Sequence, residues 1–233
     1  MEKLFIPAKF DKSKGSKFSF NFRIRFKKIG LLATLQFLDC LEEIKKELEK
    51  QGKRVYIAKE KGLKRGQILG CKVKAATSLE NKVEALIVVS SGKFHALSIA
   101  YKLKKEIPII IFNPLTSKIE TLNKEEIKRL KARKKAQLSK FLAASKIGIL
   151  VSTKPGQEKL KLALEIKRKV EEKKGLRGKE KKRAYIFLFD TLDVSQFENF
   201  PEIGCWINTA CPGLSLENPL LWIEDIGDIK KDH

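Results

Sequence analysis

The sequence predicts an α/β fold: two similar parallel-sheet modules, Rossmann-like and three-layered, joined by a long basic helix. Three observations carry this. Short runs of Ile, Leu and Val alternate with stretches of helical period, as parallel strands buried on both faces require. The run Ile29-Gly30-Leu31-Leu32-Ala33-Thr34 before Gln36 recurs as Ile147-Gly148-Ile149-Leu150-Val151-Ser152-Thr153 before Gln157, with Gly30 and Gly148 118 residues apart. Between the copies, residues 122–144 form a long, strongly basic helical stretch. The competing explanation for the repeat is chance similarity among Ile/Leu/Val strands. The expected domains are 1–28, a remnant of a preceding module with an extended linker; 29–121, an α/β module carrying Cys71; and 122–233, the long helix and an α/β module carrying Cys211.

Each element has a local reason. Leu4-Phe5-Ile6-Pro7 reads as a short strand, followed by a basic loop at 12–17. Residues 18–26 alternate apolar and polar, which predicts an extended segment, either an edge strand or a clamp. Strands follow at 29–33, 54–58, 85–89 and 107–112. Amphipathic helices fall at 36–51, ended by Gly52, and at 94–104. The loop between the second and third strands carries Gly62, Gly66, Gly70 and Cys71. In the second copy, strands are expected at 146–151, 185–189, 205–209 and 220–223. Helices are expected at 156–173 and 194–200, with a charged turn at 174–182 and a polar tail after Gly227.

Composition bounds the function. The chain has 233 residues with 42% hydrophobic content, enough to bury a core. Four cysteines form no CxxC pair, which argues against a disulfide scaffold. No run approaches the roughly 18 apolar residues of a membrane span, and the N-terminus has no secretory pattern. A reducing cytoplasm is the expected setting, with no membrane partner. The net charge of +22 suits a nucleic-acid partner. Yet many Lys interleave with Glu, as in Leu41-Glu42-Glu43-Ile44-Lys45-Lys46-Glu47-Leu48, the pattern of a solvated helix face that also suits a heat-adapted source.

Two cysteines stand out. Cys71 and Cys211 each sit just past or at the end of an apolar run, and are expected at equivalent places in the two modules. The bland alternative is two buried structural thiols. Cys40 falls inside an amphipathic helix and reads as core. Cys205 and Cys211 cannot share one ion if strand geometry holds, since six residues then span about 20 Å.

Two strand-to-helix turns are candidate binding corners, because ligands of open α/β sheets bind at the carboxyl ends of strands. Ser90-Ser91-Gly92-Lys93-Phe94-His95 opens a helix. Gly92 allows close backbone approach, the helix start favours a carboxylate, and His95 would orient a ligand or act as a base. The alternative for His95 is a local hydrogen bond. With His233 as the only other histidine, a histidine-rich metal site is excluded. Thr153-Lys154-Pro155-Gly156-Gln157 is the matching turn, where Gln157 can donate and accept hydrogen bonds, or simply start a helix. Neither turn fits GxGxxG or a Walker loop.

Four motifs in order resemble a known family: Gln67-Ile68-Leu69-Gly70-Cys71, Ser91-Gly92-Lys93-Phe94-His95-Ala96-Leu97, Lys154-Pro155-Gly156-Gln157 and Thr209-Ala210-Cys211-Pro212. Together they resemble archaeal diphthamide synthase, the 2-(3-amino-3-carboxypropyl)histidine synthase family, over about 4–223. The resemblance implies three α/β modules, each giving one cysteine to a 4Fe-4S cluster that binds S-adenosyl-L-methionine through an open iron. It implies transfer of the 3-amino-3-carboxypropyl group to a histidine of translation elongation factor 2, the first step of diphthamide biosynthesis. Cys71 and Cys211 match the second- and third-module cluster ligands. Ser91, Gly92, Phe94, His95, Gly156 and Gln157 match turns lining the family's cofactor pocket.

The departures are specific. The resemblance implies that the chain starts near the end of the first module, so a separate chain would supply the third cysteine in a split, homo- or hetero-oligomeric enzyme. The family's Cys-Pro-Arg reads Cys211-Pro212-Gly213 here, with Glu217 where an Asp is expected. Two other readings stand beside the synthase: a non-catalytic subunit of a heterodimeric enzyme, and a basic RNA-binding α/β protein.

Overall fold

A computed structural model describes residues 8–10, 19–172 and 181–228 of the chain. It is a mixed α/β structure of two compact units, 1–127 and 128–233. The expected strand at 4–7 and loop at 12–17 lie outside the described residues, as do most of the turn at 174–182 and the end of the tail.

The first unit holds five strands: β1 (Lys28–Ala33), β2 (Arg54–Tyr56), β3 (Ala85–Val89), β4 (Ile109–Asn113) and β5 (Lys118–Thr121). Their order is β2-β1-β3-β4-β5, parallel except for β5, which runs antiparallel to β4. Side chains alternate between faces with the two-residue period of a strand. Ile29, Leu31, Ile87, Val89, Ile110 and Phe112 point to one core, under α1 (Leu41–Lys50). Leu32, Leu86, Val88, Ile109 and Ile111 point to the other, under α2 (Lys74–Thr77) and α3 (Phe94–Lys102). Both faces are covered, which is why β3 and β4 are almost wholly apolar.

The segment after Phe18 is a clamp and not an edge strand. Phe20 and Ile24 are buried, Phe22 and Phe26 are half-buried, and the polar residues between them face outward. The Phe20 ring meets Phe112 edge-on at 5.0 Å. Gln51 holds the segment at both ends of its amide: Nε2 donates to the Phe22 carbonyl (3.0 Å) and Oε1 accepts from Ile24 N–H (3.3 Å).

The second unit holds β6 (Lys146–Ser152), β7 (Arg183–Phe189), β8 (Cys205–Asn208) and β9 (Leu221–Trp222), in the order β7-β6-β8-β9 and all parallel. One face packs under α4 (Lys124–Ala143), α5 (Leu160–Glu172) and α7 (Ile223–Asp228) through Phe141, Ile166, Val170 and their neighbours. The opposite core is a smaller, largely aromatic one. Phe197 stacks on Trp206 at 4.1 Å, and Phe187 meets Trp206 edge-on at 4.7 Å. The 20-residue α4 begins in the first unit and continues into the second.

The repeat is real at the level of register. Aligning Gly30 with Gly148 in sequence matches the strand order β2-β1-β3-β4 to β7-β6-β8-β9. Gly30 pairs with Leu86 and Gly148 pairs with Trp206. Both glycines are required by close approach: an added Cβ would lie 2.5 Å from Leu86 Cδ2 and 2.3 Å from Trp206 Cε3.

Several element limits differ from expectation. The helix expected at 36–51 is a 3-10 turn (Leu35–Cys40) followed by α1. The helix expected from Gly156 starts only at Leu160, because Gly156 has φ +80°, outside the helical region. The helix expected at 194–200 is a 3-10 turn, Val194–Asn199. Short elements were not anticipated: α2, β5, α6 (Pro212–Glu217) and α7. Each is too short for a period to register in sequence.

Candidate functional site

The carboxyl end of the first sheet carries Cys71. The chain leaves β2, and Gly66, at φ +78°, turns it back across β1. There the Ala33 N–H donates to the Gly66 carbonyl (2.8 Å) and the Ile68 N–H donates to the Ala33 carbonyl (2.9 Å). Leu69 and Lys72 then exchange both backbone hydrogen bonds, at 3.1 and 3.0 Å. Gly70 and Cys71 form the tip of this tight hairpin, with the Cys71 thiol exposed. Gly70 lies under the Phe94 ring: a Cβ there would come within 2.4 Å of Phe94 Cε1. The hairpin that presents Cys71 is therefore seated on the start of α3.

The β3–α3 turn is built beside it. The Ser90 N–H donates to the Phe112 carbonyl (3.0 Å), and its hydroxyl donates to the Gly92 carbonyl (2.8 Å). Ser91 and Gly92 are exposed, and the space a Cβ would take at Gly92 is open. With Asn113, Thr116 and Glu120 they line a cavity of about 180 Å³. Lys93 closes one side through an ion pair to Glu120 (2.5 Å), and the carboxylate's hydrogen bond and charge raise the Lys93 pKa. His95 is half-buried with the Phe94 ring edge-on at 5.1 Å. Burial lowers its pKa, so at pH 7 the imidazole is neutral and can accept a proton.

In the second unit, Cys211 also stands at the carboxyl end of the sheet. Asn208, fully buried at the end of β8, shapes its loop. The Asn208 Oδ1 accepts from Ala210 N–H (2.9 Å), while Nδ2 donates to the Cys211 carbonyl (2.8 Å) and to the Ser215 hydroxyl (3.0 Å). Thr209 donates its hydroxyl to the Leu150 carbonyl on β6 (2.8 Å). Cys211 is half-buried and precedes α6. At the end of β6, the Thr153 N–H donates to the Phe189 carbonyl (2.9 Å), and the Gln157 N–H donates to the Lys154 carbonyl (3.1 Å). Gly156 is accounted for by its positive φ, and Gln157 is half-buried beside it.

The structure corrects one expectation. Cys71 and Cys211 are not at equivalent places. Cys71 follows the second strand of its module, whereas Cys211 follows the third. In register, Val88 pairs with Leu32 as Asn208 pairs with Leu150. Three residues further on, the counterpart of Cys211 is Ser91, not Cys71. The roles of Asn208, Thr209 and Gly70 were also missed in the sequence. The available signal was a polar Asn-Thr pair closing an apolar strand.

The remaining thiols are buried. Cys40 lies in the core of the first unit. Cys205 lies in that of the second, where burial pushes its thiol up to about 12. Each unit thus has one reachable thiol. Among the described residues, no group of three His, Cys, Asp or Glu is placed to hold a metal ion. The donor chemistry suits an iron-sulfur cluster, whose ligands are thiolates, but either unit alone gives only part of a ligand set.

Residues 3–223 match the family described as "Putative diphthamide synthesis protein". The chain belongs to the diphthamide synthesis protein family. The 2-(3-amino-3-carboxypropyl)histidine synthase of Pyrococcus horikoshii is 30% identical over 200 residues, which cover 84% of this chain and 53% of that protein. The synthase of Methanocaldococcus jannaschii is 30% identical over 199 residues, covering 80% and 54%. The human relative, named subunit 1 of the synthase, is 26% identical over 191 residues, covering 81% and 40%. The chain spans about half the length of the curated relatives it matches. The crystal structure of Dph2 from Pyrococcus horikoshii shares the fold with a TM-score of 0.66 and 26% identity, over 87% of this chain and 57% of that one. The same protein with a 4Fe-4S cluster also gives 0.66, at 24% identity, over 89% and 58%. No helix among the described residues is long and apolar enough to cross a membrane.

Proposed function

We propose that this chain forms part of a 2-(3-amino-3-carboxypropyl)histidine synthase acting in the first step of diphthamide biosynthesis. The carrying observation is that the only two reachable thiols among the described residues, Cys71 and Cys211, both lie at the carboxyl end of a parallel sheet, where α/β folds bind ligands. In this reading they are thiolate ligands of a 4Fe-4S cluster, such as the Dph2 relative holds. Held by these two thiolates, a reduced cluster would supply a single electron to the sulfonium of S-adenosyl-L-methionine, and one electron would leave the imidazole adduct along with its proton, so that none is consumed overall. The net reaction moves the 3-amino-3-carboxypropyl group from that sulfur to an imidazole carbon of elongation factor 2. Methylthioadenosine is left, and the imidazole loses a proton.

The chain's own residues would serve binding and proton chemistry. Ser91 and Gly92 offer open backbone at a helix start, suited to a carboxylate. Phe94 supplies an apolar wall and fixes the Cys71 hairpin. His95, neutral at pH 7, can orient a ligand or take a proton. Gly156 and Gln157 form the corresponding corner of the second unit. A further thiolate must come from outside these 233 residues, because Cys40 and Cys205 are buried in packed cores. The proposed setting is the cytoplasm, with elongation factor 2 as protein substrate.

The naming of several relatives as subunit 1 supports a multi-subunit setting, in which a second reading makes this chain a non-catalytic subunit of a heterodimeric synthase. Anaerobic reconstitution with iron and sulfide, alone and together with a full-length archaeal synthase, separates the two. The synthase reading expects an electron paramagnetic resonance signal and bound iron that fall in Cys71→Ala and Cys211→Ala, with Cys40→Ala and Cys205→Ala unaffected. Iron retained in full by both of the first pair would remove the ligand assignment and leave the subunit reading.

A further inference from the structure

Strand β7 is an edge of the second sheet, and part of its outer side is open. It pairs with β6 from Arg183 to Phe189 without a bulge. The Arg183 N–H donates to the Ser145 carbonyl and the Thr153 N–H donates to the Phe189 carbonyl, so the odd-numbered residues bond inward. Ala184, Ile186 and Leu188 therefore turn their N–H and C=O groups outward. Ala184 is capped from α5: its N–H donates to Glu171 Oε1 (3.2 Å) and its carbonyl accepts from Lys167 Nζ (2.6 Å). Those two side chains are paired with each other at 2.5 Å. Ile186 and Leu188 have no such cap among the described residues, which leaves two donors and two acceptors on the edge.

The side chains around these groups are apolar. Leu188 is 65% exposed and Tyr185 41%. Leu160 and Leu164, 40% and 52% exposed, fall on the stripe of α5 that carries Lys167 and Glu171. Edge strands are ordinarily blunted by a charge, a proline or a bulge. The antiparallel edge of the first sheet, β5, has Lys118 and Glu120. From Ala184 to Phe189, β7 has none of these devices. Its charges sit at the two ends, with opposite signs. Lys181 and Arg183 are exposed at the amino end, and Asp190 and Asp193 at the carboxyl end. None of the four is in an ion pair among the described residues. Asp190 accepts hydrogen bonds from the Thr153 and Thr191 hydroxyls, and Asp193 from Ser195 and Gln196, all uncharged donors.

We propose that this edge is an interface between two copies of the chain, their β7 strands pairing antiparallel about a two-fold axis at Phe187. In that register Ile186 and Leu188 of each copy exchange backbone hydrogen bonds with Leu188 and Ile186 of the other, so all the open groups are paired. Tyr185 comes opposite Phe189 of the other copy, the basic end lies along the acidic end, and two four-stranded sheets become one. The Lys167–Glu171 cap sets the register, since it holds Ala184 out of the pairing. A parallel arrangement would bring like charges together. The interface uses β7 and α5 alone and does not depend on the synthase reading. The test is sedimentation velocity on the whole chain over a concentration series, with each variant's folding checked by its melting curve. A reversible dimer is expected. Leu188→Lys puts a charge on the open edge at an exposed position and should weaken association at least tenfold. Leu188→Pro removes an outward donor without removing a bond to β6, and should act alike. Should Leu188→Pro fail to fold, Leu188→Lys decides. Leu115→Lys, at a leucine 56% exposed in the first unit, should change nothing. Amide exchange read at single residues tests the register: Ile186 and Leu188 should slow as concentration rises, whereas Ala184, already bonded to Glu171, should not. A chain that stays monomeric would overturn the proposal. So would a dimer that survives Leu188→Lys, or one that leaves the Ile186 and Leu188 amides unchanged.

Discussion

Four cysteines occupy two kinds of place, and their chemistry should divide the same way. Cys205 is both buried and held protonated, since its thiol is pushed up to about 12, and only thiolate reacts. Cys40 is buried in the other unit, whereas Cys71 is exposed on a hairpin tip. With Ellman's reagent at pH 8, two thiols should react in the native chain, Cys71 first, and four in denaturant. Cys71→Ser should remove the fast phase alone. A third native thiol reacting at a comparable rate would contradict the burial assigned to Cys40 and Cys205. The reachable pair was legible in sequence because each cysteine ends an apolar run. Their inequivalence was not, since it depends on strand order: only when β1 lies between β2 and β3 does Ser91 become the counterpart of Cys211.

Between elements, the repeat is held by two glycines that do unequal work. A Cβ at Gly30 meets the far end of Leu86, which can rotate away. A Cβ at Gly148 meets the face of Trp206, which is fixed by stacking on Phe197 and by the edge of Phe187. Overpacking of such a site costs about 1–3 kcal/mol. Gly148→Ala should therefore destabilise more than Gly30→Ala in urea titrations. A cycle with Trp206→Leu should show coupling, the Gly148→Ala cost shrinking once the ring is gone. Equal costs in both backgrounds would mean the ring is not the obstacle. The sequence displayed the repeated glycines through their offset, but not their cause, which lies in a neighbouring strand. It likewise displayed the buried strands β3 and β4 well. It did not display β5, whose four residues are all exposed and whose only signal is its pairing with β4.

Across the whole molecule, 50 basic residues face 28 acidic ones. The interleaved Lys and Glu suggest a surface stabilised by pairing, and pairs such as Lys45–Glu49, Lys50–Glu47 and Arg168–Glu172 do form. They are solvated, and such pairs contribute about 0–1 kcal/mol each. One differs: Lys134 reaches the fully buried Asp225 at 2.9 Å, joining α4 to α7. Against them stands the mutual repulsion of 22 excess positive charges, which disfavours the compact state. Salt discriminates between the two. Raising ionic strength from 10 to 100 mM shortens the screening length from about 30 to about 10 Å, which relieves repulsion between distant cations more than it weakens contact pairs. Repulsion should win, and the melting temperature should rise over that range. Each kcal/mol relieved corresponds to about 2–4 °C for a chain of this size. A melting temperature that falls would assign the surface to its ion pairs.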